Sequence, residues 1–242
     1  MALPPAGGDA GDDIRFVWRW LLLGGAAGGA AGFLVGGIGG RIAMFVLRVT
    51  SSDSVVGVES DDGFTIGKFS SSSVFLLAFT TILGILVGIA LVVARSQLPG
   101  GPGALLIVVA TGAFGAAEVI KPDGVDFNRL SPLPLACVMF TVIPLAVAAL
   151  ALWFIARWKP WWWQNRRRTI IAGLPWLMAL PIFFVSAPFV LVSVGVGTIA
   201  LRIRFIRYAL TSRLGGIVVT VVVVVVLGVS SFELVRDVTE IL

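Results

Sequence analysis

Histidine is absent from this chain, and cysteine occurs once, at Cys137. Without histidine the commonest metal ligand and the usual base near neutral pH are missing, which argues against zinc peptidases, haem coordination and Ser-His or Cys-His hydrolysis. A lone cysteine closes no intrachain disulfide and makes no zinc spacing. Cys137 sits in the apolar run LACVMF, where a small buried side chain is expected. Charge is scarce too: charged residues are 13% of the 242, hydrophobic residues 58%, and mean hydropathy is +1.03. A water-soluble domain carries about 25% charged residues. This chain cannot cover a globule with polar surface, so its solvent is largely lipid. The net charge of +5 is divided into short clusters beside apolar runs. That suits headgroups and snorkelling side chains, and no nucleic-acid partner is expected. No nucleophile elbow, HExxH, Walker or dinucleotide motif occurs. Lys68, Lys121 and Lys159 all fall in expected loops, against a retinal-binding lysine within a span. No catalytic residue, metal or cofactor is assigned.

Glycine is what the chain has in quantity. In WRWLLLGGAAGGAAGFLVGGIGGRIAMFVLR, residues 18–48, Gly24, Gly28, Gly32, Gly36 and Gly40 stand at four-residue spacing, and Gly25, Gly29 and Gly37 widen the stripe. No G-K-[S/T] follows, so it is not a phosphate loop. In lipid a glycine stripe gives a helix a smooth face that a second helix can approach closely. Each four-residue step carries the stripe about 40° round a helix of about 3.6 residues per turn, so a partner following it should cross right-handedly.

The fold class that follows is an all-α, polytopic transmembrane bundle of six to seven embedded segments with a small external loop or hairpin. Residues 1–14 read as a disordered tail rich in Gly, Pro and Asp, without the basic start of a secretory signal, followed by a single membrane domain over 15–232. Arg15 and Arg19 with Trp18 and Trp20 form an interfacial collar. Helix 1 spans about 21–41 and its continuation IAMFVLR emerges beyond. In the external loop 49–73, Asp62-Gly63 between short β-prone runs is a hairpin signal, and Ser70 to Ser73 suit a cap on the next helix. Helix 2 is expected over 74–94, the QLPGGPG turn after it, helix 3 over 104–118 and helix 4 over 133–154. Helix 3, with Ala110, Gly112, Ala113, Gly115, Ala116 and Ala117, is the expected partner of the glycine stripe.

The basic loop 157–169 (Arg157, Lys159, Arg166, Arg167, Arg168) carries Trp158 and Trp161 to Trp163 and reads as cytoplasmic, which also places the N-terminus in the cytoplasm. Residues 170–201 carry no charge, yet Pro175, Pro181 and Pro188 interrupt them. Length favours one crossing; charge favours a broken passage near Ser186 to Pro188 that returns Arg202, Arg204, Arg207 and Arg213 to the cytoplasm. Charge is followed here. Residues 202–213 are basic and amphipathic, the valine-rich last span (214–232) faces lipid, and 233–242 are a short charged tail.

Within the spans, Arg41 and Glu118 are the exceptional charges, a possible intramembrane pair. The functions these features allow are an accessory or assembly subunit packing through glycine faces, a small transporter or channel using 170–201, or a membrane-embedded enzyme using the external carboxylates Glu59, Asp61, Asp62, Asp123 and Asp126. The first is preferred. Its partners are the bilayer and a second copy or another membrane protein, docked on the glycine face of helix 1.

Overall fold

A computed structural model of the chain describes residues 10–51, 71–98, 100–124, 127, 131–164 and 213–242. The described elements are all helical. One long helix has three parts: α1 (Ala10–Ala31), a π-helical segment (Gly32–Gly39) and α2 (Gly40–Thr50). It is followed by α3 (Ser71–Gln97), α4 (Gly100–Val119), α5 (Leu133–Gln164) and α6 (Arg213–Ile241). Among the described residues, five helices are long and apolar enough to cross a membrane: Phe16–Thr50, Ser73–Gln97, Gly100–Val119, Leu133–Gln164 and Leu214–Ile241. The shortest has 20 residues, and at about 1.5 Å per residue it reaches ~30 Å, one hydrocarbon core. Five is fewer than the six to seven segments read from the sequence. The stretch that would supply the others, 170–201, lies outside the described residues, as do the expected hairpin at 55–69, residues 165–169 and residues 202–212.

Helix boundaries differ from the sequence reading in one direction: helices run on through residues taken as stops. α1 begins at Ala10, so 10–14 belong to its first turns. The helix resumes at Gly100 inside QLPGGPG. Gly100 takes φ +87°, which glycine alone adopts without strain, and Pro102 falls in the first turn, where no backbone bond is lost. α5 continues past Phe154 through Pro160 to Gln164, so 157–164 of the expected loop are its last two turns. A proline in lipid is tolerated where neighbouring groups satisfy the freed carbonyl. α6 continues to Ile241, so the expected tail is helical as well.

Two apolar clusters fix the arrangement. At one end, Trp20 and Leu23 of α1 meet Leu91 and Val92 of α3, Ile107 of α4, and Ile155 and Trp162 of α5. At the other, Leu47 of α2 meets Ala116 of α4, Ile120, Phe127 and Ala136 of α5, with Leu234, Val238 and Ile241 of α6 packed alongside. A Cβ built on Gly216 would lie 3.5 Å from Gln97 Oε1, so α6 starts beside the end of α3. Gln164 and Arg213, the residues that bound 165–212, therefore lie at the same end of the bundle. α6 packs chiefly on α4, and its opposite side exposes Val218, Val221, Val222 and Val225, each more than half accessible.

Candidate functional site

The glycines of α1 lie against α3, not α4. A Cβ built on Gly24 would stand 2.6 Å from the Gly88 carbonyl oxygen. On Gly28 it would overlap the Gly84 carbonyl oxygen and stand 2.6 Å from Gly88 Cα. On Gly32 it would overlap the Thr80 carbonyl oxygen and stand 2.9 Å from Gly84 Cα. The relation is mutual, since a Cβ on Gly84 or Gly88 would come within 2.8 Å of Gly32 Cα or Gly28 Cα. These are backbone atoms on both sides, so no side-chain rotation can make room. Gly84 and Gly88 were missed in the sequence, although their four-residue spacing in LGILVGIAL is the complement of the ladder. The small residues of α4 are used elsewhere. A Cβ on Gly115 would stand 2.6 Å from Pro144 Cβ of α5, and one on Gly112 would overlap the Leu145 side chain.

Further along, the ladder behaves differently. A Cβ on Gly36 would meet Thr80 Cβ at 3.1 Å, one on Gly37 would meet Leu77 Cδ2 at 2.6 Å, and one on Gly40 meets nothing within 4 Å. The π-helical segment accounts for this. The Gly40 N–H is shared among the carbonyls of Val35, Gly36 and Gly37, and the five-residue step adds a residue to each hydrogen-bonded ring. A four-residue repeat then no longer follows the straight face, and Gly40 turns away from α3. Thr80 and Thr81 beside the segment donate back to Leu76 O and Leu77 O (2.9 and 2.6 Å), so their hydroxyls are satisfied within α3.

Polar groups gather where α2, α4 and α6 end and α3 and α5 begin. Arg41 donates to Ser73 Oγ in the first turn of α3 (2.5 Å), and Glu118 is exposed in the last turn of α4. Ser51 Oγ accepts from the Ser131 N–H (2.8 Å) and donates to Leu47 O (2.7 Å), tying α2 to the segment before α5. Asp123 is exposed in the turn that Gly124 N–H closes onto Lys121 O (3.1 Å). Glu59, Asp61, Asp62 and Asp126 lie outside the described residues.

Asp237 was read only as part of a tail, yet it is 1% exposed. Its Oδ1 accepts from Arg236 Nη2 (2.8 Å) and Nε (3.0 Å). Lys121 Nζ stands 3.9 Å from Oδ2, which has no hydrogen-bond partner among the described residues. The missed signal is helical spacing: Leu234, Val238 and Ile241 place position 237 on an apolar stripe once the tail is helical. Among the described residues, no group of three or more His, Cys, Asp or Glu side chains is arranged to hold a metal ion.

The opposite end is aromatic. Trp162 is fully buried, and its Nε1 donates to Arg19 O (3.1 Å), joining α5 to α1. Trp20 and Trp163 meet edge to face at 5.2 Å, and Phe16 stacks on Trp163 at 5.7 Å. Lys159 Nζ stands 5.3 Å from the centroid of the Trp20 ring, and Arg19 Cζ 6.0 Å from that of Trp163. Trp20 Nε1 is buried without an acceptor among the described residues. Comparison with protein-family models, curated proteins and solved structures finds no match, so the reading of these sites rests on the residues themselves.

Proposed function

We propose that this integral membrane protein is an accessory or assembly subunit whose role is structural rather than catalytic or transporting. The observation that carries this reading is the backbone-to-backbone seam between Gly24, Gly28 and Gly32 of α1 and Gly84 and Gly88 of α3. We read it as a glycine zipper. Two helices in such contact over several turns act as one rigid unit, and nothing on the seam is equipped to hold a solute. Because the lower ladder is engaged with α3, the docking face for a second copy or another membrane protein is its open part. Gly40 has free space there, and Ile38, Ile42, Phe45 and Val49 are exposed beside it.

A photo-crosslinking residue at Ile42 in native membranes should yield a discrete product, whereas one at Val222 on α6 should not. Absence of that product, together with solute flux through liposomes holding the purified chain alone, would replace this reading with a transporter.

On this reading the protein resides in a cell membrane with six to seven embedded segments, the charge-free 170–201 adding to the five helices. Arg19, Arg95, Arg157 and Lys159 are assigned to the cytoplasmic side with the N-terminus. The shared end of Gln164 and Arg213 supports grouping the later arginines with them. In a Cys137→Ala background, cysteines at Gln164 and at exposed Leu214 should label from the cytoplasmic side, and one at Ser52 from the other. Labelling of Leu214→Cys together with Ser52→Cys would mean that length outweighs charge in this segment.

A further inference from the structure

We propose that the aromatic end of the bundle binds the phosphate of one anionic phospholipid, paired with Arg19 and Lys159 and hydrogen-bonded by the Trp20 indole N–H. Arg19 on α1 and Lys159 on α5 are both exposed. What each stands against is a ring face: Trp163 at 6.0 Å and Trp20 at 5.3 Å. The ion pairs of Lys121 and Arg236 with Asp237 lie at the other end of the bundle. Two cations bracketing one tryptophan pair, each over a ring face, form a site for a compact anion.

Two neighbouring tryptophans sharpen the assignment. Trp162 Nε1 is satisfied within the protein by Arg19 O. Trp20, 5% exposed, keeps a buried N–H with no acceptor among the described residues. A buried donor left unpaired calls for a partner, and a phosphate oxygen between Arg19 and Lys159 is an acceptor of the right charge. Lys159 lies over Trp20 on a flexible stem, so it can shift with the phosphate it pairs.

The source of the phosphate is a lipid because apolar surface continues from both cations toward the membrane centre. Leu22 follows Arg19 by three residues and Ala156 precedes Lys159 by three, and both are exposed, offering a path for acyl chains. A zwitterionic headgroup would add a third cation to the two present, so an anionic one is favoured. Such a lipid would bridge α1 and α5.

The test uses the full chain in detergent with phosphatidylglycerol or phosphatidylcholine added back at equal mole fraction. Bound lipid is counted by native mass spectrometry and thermal melting is followed in parallel. Wild type should retain one phosphatidylglycerol with at least about a tenfold preference and melt higher with it. Arg19→Gln/Lys159→Gln should lose the preference, Trp20→Phe should weaken it several-fold, and Lys159→Arg should keep it. Variants are compared at equal helical content. Should the double variant fail to fold, Arg19→Gln alone decides, since that side chain is exposed. Wild-type retention by the double variant, by Arg19→Gln in its stead, or by Trp20→Phe would overturn the proposal. So would equal retention of the two lipids, or displacement of phosphatidylglycerol by inorganic phosphate, which would mark a free-anion site.

Discussion

Gly28→Ala should destabilise the folded bundle, while Gly40→Ala should leave it unchanged or slightly more stable. One methyl group is added to the same long helix in both cases, and intrinsic propensity favours alanine by about 1 kcal/mol at each. The surroundings differ. At Gly28 the methyl overlaps the Gly84 carbonyl oxygen and stands 2.6 Å from Gly88 Cα; at Gly40 it meets nothing within 4 Å. Since the obstructing atoms are backbone, α1 and α3 must separate, and contacts made by Gly24 and Gly32 are lost with them. Overpacking of this kind costs typically about 1–3 kcal/mol, enough to outweigh the propensity gain. Unfolding in graded denaturing detergent, followed by helical signal, measures the difference. Coincident midpoints for the two variants would show that the seam contributes no close packing.

Much of this seam's existence was legible, because a four-residue glycine repeat in a lipid-solvated helix has few other uses. Its partner was not. Composition pointed to α4, which has more small residues, yet spacing decides: Gly84 and Gly88 repeat the four-residue step of the ladder, whereas Gly112 and Gly115, three apart, make room for Leu145 and Pro144. The π-helical segment was likewise hidden. It depends on which carbonyl each N–H selects, and that choice leaves no period in the sequence.

Helix existence was readable from hydropathy and helix ends were not. The same rule failed at Ala10, Pro160 and Glu233: charge and proline were treated as stops. Helices that emerge from a bilayer do not end where the lipid ends, and backbone bonding continues into headgroups and water. Reading residues 233–242 as a tail hid Asp237, and reading 157–169 as a loop hid the packing of Trp162 onto α1. The charged cluster around Asp237 and the α5 half of the aromatic cluster lie on these overlooked extensions.

The charged end supplies the second large expected effect, and its sign depends on which partner is removed. Arg236→Ala should be more damaging than Asp237→Asn. Asp237 is the buried member, whereas the side chains of Arg236 and Lys121 are 61% and 43% exposed. Removing the arginine strips Oδ1 of both these donors and leaves a carboxylate beside an apolar cluster, with Lys121 at 3.9 Å the remaining cation among the described residues. A buried charge without its partner is the costly case. Removing the carboxylate's charge leaves two cations that solvent and headgroups can reach, and an amide that keeps an acceptor, so Asp237→Asn should cost no more than about 1 kcal/mol. The double variant Arg236→Ala/Asp237→Asn should then be more stable than Arg236→Ala alone, a rescue that simple loss of packing cannot produce. The four chains are compared by detergent unfolding at one pH above the carboxylate range. Additive losses in the double variant would show that the carboxylate is hydrated, and α6 would then be held at this end by apolar contacts such as those of Leu234, Val238 and Ile241.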